Sequence, residues 1–225
     1  MIRYVLAAAA VLFSVSANAA TFEVKTYESG DTYIKMEGDT TAGDVYRLNA
    51  ALDKALALEE EDFICESTED GGQKCGWQYF NTFSWELQLD GPGGSAAVGA
   101  KIAEIVNEQE LYTVVSSENV CVSACALIWM AAGEDRRWIQ EDSYVGFHFA
   151  YTDSVEYLEK QKDLYGWIGI QDQIAQSSHY FTGLLFKYGV ADPYQFMMYL
   201  SHYGEAEGAW WVSTHNIDIV GGKAF

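Results

Sequence analysis

Only two prolines, Pro92 and Pro193, occur in 225 residues, which excludes a proline-rich linker or polyproline tract. Basic side chains are also scarce, with 13 Lys and Arg against 33 Asp and Glu and a net charge of −20. Such a surface repels nucleic-acid phosphates and anionic lipid headgroups, so neither is an expected partner. The acidity is spread along the chain and reads as a solvated exterior. There is no Cys-x-x-Cys, no internal repeat and no low-complexity tract. What is plentiful is apolar and aromatic surface, 49% of residues, enough to bury a sizeable core.

The first residues read as a leader. Arg3 gives a positive start, Tyr4 to Val15 is an apolar run, and Ala17-Asn18-Ala19 fits the small-x-small rule for cleavage. The run is short for a membrane span. The expectation is a signal peptide over residues 1–19, cut after Ala19, and a single domain over 20–225. The mature protein is then periplasmic or secreted, with no membrane attachment. Four cysteines in an exported chain favour disulfides over metal ligands, and no metal or cofactor is expected. Cys65 and Cys75 bracket a polar stretch inside an acidic loop expected at about 59–82. That leaves Cys121 with Cys125, an i,i+4 pair that can close if the backbone changes from strand to helix between them.

Hydrophobic periodicity orders the rest. Phe22–Thr26 and Thr32–Met36 read as a hairpin turning at Gly30-Asp31. Thr40 and Thr41 are candidate caps for a helix over 42–58, with Val45, Leu48, Ala51, Leu52, Ala55 and Leu58 on one face. In the strand Phe83–Leu89 the alternation predicts Phe83, Trp85, Leu87 and Leu89 on one side. Ser95 caps a helix over 96–109. Strands follow at 112–115, 120–122, 136–139 and 144–149, with a buried helix over Ala124–Ala132 between them. Val155–Tyr188 reads as largely helical, and Asp192-Pro193 opens another helix. Strand and helix alternate at a spacing that predicts α/β crossovers and a mainly parallel sheet.

Three signals inside this alternation carry chemistry. Asp90-Gly91-Pro92-Gly93-Gly94 ends a strand and runs into a helix. Backbone N–H groups in such a turn are little covered and suit an oxyanion. It is not a P-loop, because no Gly-Lys-Ser/Thr follows. Ser123 lies where an apolar strand turns into an apolar helix, which suits either an N-cap or a nucleophile elbow. His148 ends a later apolar run, where a general base or a core histidine fits. His179, His202 and His215 lack such a setting.

The order and spacing of Gly91-Pro92-Gly93-Gly94, Cys121-Val122-Ser123-Ala124-Cys125-Ala126 and His148 resemble the Clp protease proteolytic subunit and its crotonase-like relatives. The resemblance runs from about Tyr33 to Val220, and its specific part is Leu87 to His148. It implies a crotonase-like α/β core of ββα units with flanking helices, with Ser123 as nucleophile and His148 as general base. It also implies an oxyanion hole from Gly93, Gly94 and the N–H of Ala124, a peptide or protein substrate, and a homo-oligomer. The third member of a triad would be an acid after the long helices, for which Glu205 is the candidate. Lys101 does not match the Ser–Lys variant of the family. Two further readings differ in class. One is a catalytically inactive Clp-like binding or scaffold protein of the periplasm. The other is an acyl-thioester enzyme, which export from the coenzyme A compartment disfavours.

Overall fold

The computed structural model describes residues 19–68, 72–80, 82–148, 183–184, 186–190, 192, 195–198 and 209–224. The expected leader up to Asn18, most of the stretch Val155–Tyr188 expected to be helical, His179, His202 and Glu205 lie outside the described residues.

The architecture is mixed α/β around a mainly parallel sheet. The larger sheet has the order β1-β2-β5-β6-β8-β11. Its strands are β1 (Thr21–Thr26), β2 (Thr32–Glu37), β5 (Phe83–Asp90), β6 (Tyr112–Val115), β8 (Arg137–Ile139) and β11 (Lys223–Ala224). Only β1 runs antiparallel, hairpinned to β2 as the Gly30-Asp31 turn predicts. A smaller sheet, β10-β9-β7, pairs β7 (Val120–Val122) parallel to β9 (Tyr144–Phe147) and carries β10 (Trp210–Val212) antiparallel at its edge.

The helices α1 (Asp44–Leu56), α2 (Ala96–Glu108) and α3 (Ala124–Met130) lie in the crossovers between these strands. Their apolar faces are the predicted ones. In α1, Leu48, Ala51, Leu52 and Ala55 are buried, while Leu58 falls beyond the helix end and is exposed. Every residue of α3 is buried. α2 and α3 touch so closely that a Cβ on Gly99 would lie 2.9 Å from the Ala124 Cβ. The Ser95 hydroxyl caps α2, accepting from the Val98 N–H at 3.4 Å.

Several expectations need correction. The stretch 59–82 is not a loop. It is an antiparallel pair, β3 (Glu60–Ser67) and β4 (Gln73–Phe80), that forms a sheet of its own. Trp85 does not join Phe83, Leu87 and Leu89 on the buried side. Its φ is +56° and the β2–β5 register shifts beside it, which turns the indole outward. Neither Thr40 nor Thr41 caps α1. Gly43, at φ +95°, precedes the helix, and the Asp44 carboxylate accepts the Thr41 N–H at 2.6 Å.

The C-terminal segment is stapled on by a buried cation. The Arg137 guanidinium donates to the carbonyls of Met130 (3.0 Å), Gly189 (3.2 Å), Val220 and Gly221, and packs over the Trp129 ring at 5.6 Å. Burial pushes its pKa down to about 10, so it stays charged at neutral pH. Ile217, which opens a short 3-10 turn, and Val220, which follows it, are buried.

Candidate active site

Parallel strands end together, and the ends of three chain segments meet here. Just past β5, Gly91 bridges to Cys121 of β7: its N–H donates to Val120 O at 2.8 Å, and its carbonyl accepts from the Val122 N–H at 3.0 Å. Cys121 in turn pairs with Val145 of β9. Gly91, Cys121 and Val145 therefore stand abreast. Two or three residues further along each segment come Gly93-Gly94, Ser123 and the Phe147-His148 step. The three signals seen at long separations in the sequence share the carboxyl edge of adjoining parallel strands, the usual place for a ligand crevice in such sheets.

Ser123 sits at the turn from β7 into α3 with φ +59° and ψ −119°. Non-glycine residues adopt positive φ rarely and at a cost of order 1–3 kcal/mol. An N-cap residue needs extended φ and ψ and a side chain that accepts a helix N–H; Ser123 has neither. Its own N–H is tied to Gly146 O at 2.9 Å and its carbonyl accepts from the Leu127 N–H at 3.1 Å, which fixes the backbone on both sides. The hydroxyl makes no hydrogen bond among the described residues and is partly exposed. Ser123 thus stands in a strained strand–turn–helix geometry, of the kind that a nucleophile elbow requires.

The glycine turn lies against that elbow. Gly93 is at φ +103°, and a Cβ on it would stand 2.5 Å from the Ser123 Cβ and 3.0 Å from the Ala124 nitrogen. Only glycine leaves the Ala124 N–H uncovered there. Gly94, at φ +129°, faces the other way, so that a Cβ would overlap the Thr40 carbonyl oxygen. Thr40 is a strand partner to the turn: its N–H donates to Gly93 O, and its carbonyl accepts the Ser95 N–H at 2.8 Å. With its neighbours so engaged, the Gly94 N–H donates to nothing among the described residues. The Ala124 N–H, first in α3, is likewise one of the helix's unsatisfied donors. Among the described residues, the N–H groups of Gly94, in the turn that packs on Ser123, and of Ala124, next to it in the chain, thus have no acceptor.

His148 follows β9 and is half-buried. The pairing of Val122 with Gly146 sets it one strand over from Ser123 and at the same edge. His215 is exposed on a turn near the C-terminus. Lys101 is exposed on α2. Glu205, the candidate third member, lies outside the described residues. Among the described residues, no three His, Cys, Asp or Glu side chains gather as metal ligands, and no helix is long and apolar enough to cross a membrane.

Both cysteine pairs are disulfides. Cys65 and Cys75 face each other across β3 and β4, at exposed positions. Cys121 and Cys125 are bridged with their Cα atoms 5.1 Å apart, buried, one on each side of Ser123. Residues around Thr40 had no sequence signal as part of the site. The one available clue was Asp44 and Arg47 at i,i+3 on the first turn of a helix, a pair whose link to the glycine turn runs through backbone.

No protein-family model matches the chain, and no curated protein matches it. Among solved structures, a mutant form of ClpP1 from Listeria monocytogenes is similar at 15% sequence identity. The match covers 62% of this chain and 72% of that chain, with a TM-score of 0.45. At that level the likeness is loose, and the site stands on its own geometry.

Proposed function

We propose that the chain is an exported serine hydrolase, a peptidase with the Clp protease-like arrangement read from its motifs. The observation that carries this reading is Ser123 at φ +59°, uncapped, with Gly93 pressed against it and two N–H groups unspent beside it. A serine kept merely to start α3 would use its hydroxyl as a cap and avoid the strain.

In the proposed reaction the Ser123 Oγ attacks a substrate carbonyl carbon while His148 takes its proton. The carbonyl oxygen becomes an oxyanion and receives the N–H groups of Gly94 and Ala124. The C–N bond breaks, His148 returns the proton to the leaving amine, and an acyl-enzyme remains. Water, deprotonated by His148, then releases the acid. Glu205 is proposed to orient His148. Removing one oxyanion donor in such a site costs about two to three orders of magnitude in rate.

Two disulfides among the described residues accord with an oxidising compartment, and the leader reading supplies the route there. Assembly into a homo-oligomer belongs to the same proposal.

The test is a fluorophosphonate probe on folded, oxidised mature protein. Labelling that maps to Ser123, and disappears in Ser123→Ala and His148→Ala, is the expected result. Folded wild-type protein that takes no label would sink the hydrolase reading and leave the fold as a binding scaffold.

A further inference from the structure

The glycine turn is held from two sides, and the proposed chemistry uses only one of them. On the side away from Ser123 stands Thr40, whose N–H and carbonyl grip Gly93 and Ser95. Thr40 has no regular strand to hold it, because β2 has ended at Glu37 and α1 has yet to begin. What fixes it is the next residue. The Thr41 N–H donates to Asp44 Oδ2 at 2.6 Å, and the Asp44 N–H returns to Thr41 O at 3.2 Å. Arg47 then locks Asp44: its Nε donates to Asp44 Oδ1 at 2.8 Å, a second nitrogen pairs with the same oxygen, and that nitrogen also donates to Thr41 Oγ1 at 3.1 Å. The Asp44 side chain is fully buried, while that of Arg47 is 37% exposed. A buried carboxylate costs free energy unless its oxygens are hydrogen-bonded, and here both oxygens are.

We infer that Asp44, clamped by Arg47, is a positioning residue for the oxyanion turn, acting through Thr41 and Thr40 on the orientation of the Gly94 N–H. The inference rests on the reading of Ser123 as nucleophile. Asp44 touches no reacting atom. Its effect is on the maximal rate rather than on substrate affinity, because a donor aimed at the oxyanion stabilises the transition state more than the bound ground state.

Two measurements on the mature chain test it. Amide exchange reads the Ser95 N–H, which reports the Thr40–Ser95 bond directly and needs no activity. Fluorophosphonate labelling over a range of probe concentrations separates reversible affinity from maximal rate. In Asp44→Ala, Ser95 exchange quickens at least about tenfold and the maximal labelling rate falls about ten- to hundredfold, the scale of a misplaced donor. Reversible affinity stays within about twofold. Asp44→Asn, which keeps an oxygen for the Thr41 N–H, recovers most of both. If Asp44→Ala does not fold, Arg47→Met, at a partly exposed side chain, replaces it with the same expectations. Ser95 protection left intact in the variant overturns the inference, even if labelling slows. So does wild-type maximal labelling with Ser95 deprotected. If wild-type protein takes no label, the hydrolase reading fails by itself, and Ser95 exchange alone decides whether Asp44 holds the turn.

Discussion

Two disulfides, two settings. The β3–β4 arm carries Cys65–Cys75 at exposed positions on a two-stranded sheet that pairs with no other strand among the described residues. The β7–α3 elbow carries Cys121–Cys125 within the core, across a residue of positive φ. A chain-entropy estimate makes the arm's bridge the stronger one, about 3 kcal/mol against about 2 kcal/mol, because it closes the longer loop. Function should rank them the other way. An isolated hairpin is marginal in water and opens locally without unfolding the rest. The elbow cannot open without releasing Ser123 from its conformation. A bond's contribution to a site therefore depends less on the entropy it removes than on whether the strained residue lies inside its loop.

The sharpest way to break this comparison is a glycine in each region. Gly93→Ala places a methyl 2.5 Å from the Ser123 Cβ at a φ of +103°. Labelling of Ser123 should fall at least about a hundredfold, the cost of a lost oxyanion donor. Stability should drop by about 1–3 kcal/mol from overpacking. Gly76→Ala in the arm meets nothing within 4 Å, and both labelling and melting temperature should stay close to wild type. Equal losses in the two variants would mean that the arm is coupled to the site.

Next come the bridges themselves. Replacing Cys121 and Cys125 together by Ala should cost about 2 kcal/mol in a denaturant titration and slow labelling about tenfold as Ser123 relaxes toward a common conformation. Replacing Cys65 and Cys75 should leave labelling within about twofold and appear chiefly as faster proteolysis inside the arm. A titration with a dithiol reductant gives the same ordering without mutation: the exposed bridge opens first, with activity retained, and the buried one later, with activity lost. Loss of labelling in step with the first reduction would reverse the ranking.

The elbow was far more legible in the sequence than the arm, for physical reasons. At the elbow, apolar Val120–Val122 and Ala124–Ala132 surround one hydroxyl, and the glycines that need positive φ name their own positions. The alternation of strands and helices follows from burial on one face of each element. The arm forms a two-stranded sheet of its own among the described residues, and no two-residue apolar periodicity marks Glu60–Ser67. Its acidic residues read as loop, and only the facing cysteines hint at pairing. Trp85 was misplaced because a register shift, and not the side-chain pattern, decides which way it points. The Thr40 clamp was invisible for a related reason. It is a backbone contact between residues far apart in the chain, and backbone carries no side-chain signature.

The smallest effect concerns the root of the arm. Thr82, just before β5, accepts the Thr32 N–H at its carbonyl oxygen (2.9 Å), and its hydroxyl donates to Asp31 Oδ1 at 2.7 Å. Glu59, just before β3, accepts the Phe83 N–H at 3.0 Å. The Thr82 hydroxyl, with that of Ser29, holds the Asp31 carboxyl below its ordinary pKa. A lowered folded pKa means that the ionised form stabilises the fold above the unfolded value and that this contribution is lost as pH falls through the folded one. Asp31→Asn should therefore melt slightly below wild type at neutral pH, and the two curves should converge as acid protonates Asp31. Labelling of Ser123 at neutral pH should not change. A gap that widened in acid would show that Asp31 carries no such linkage, and a change in labelling would tie the arm's root to the elbow after all.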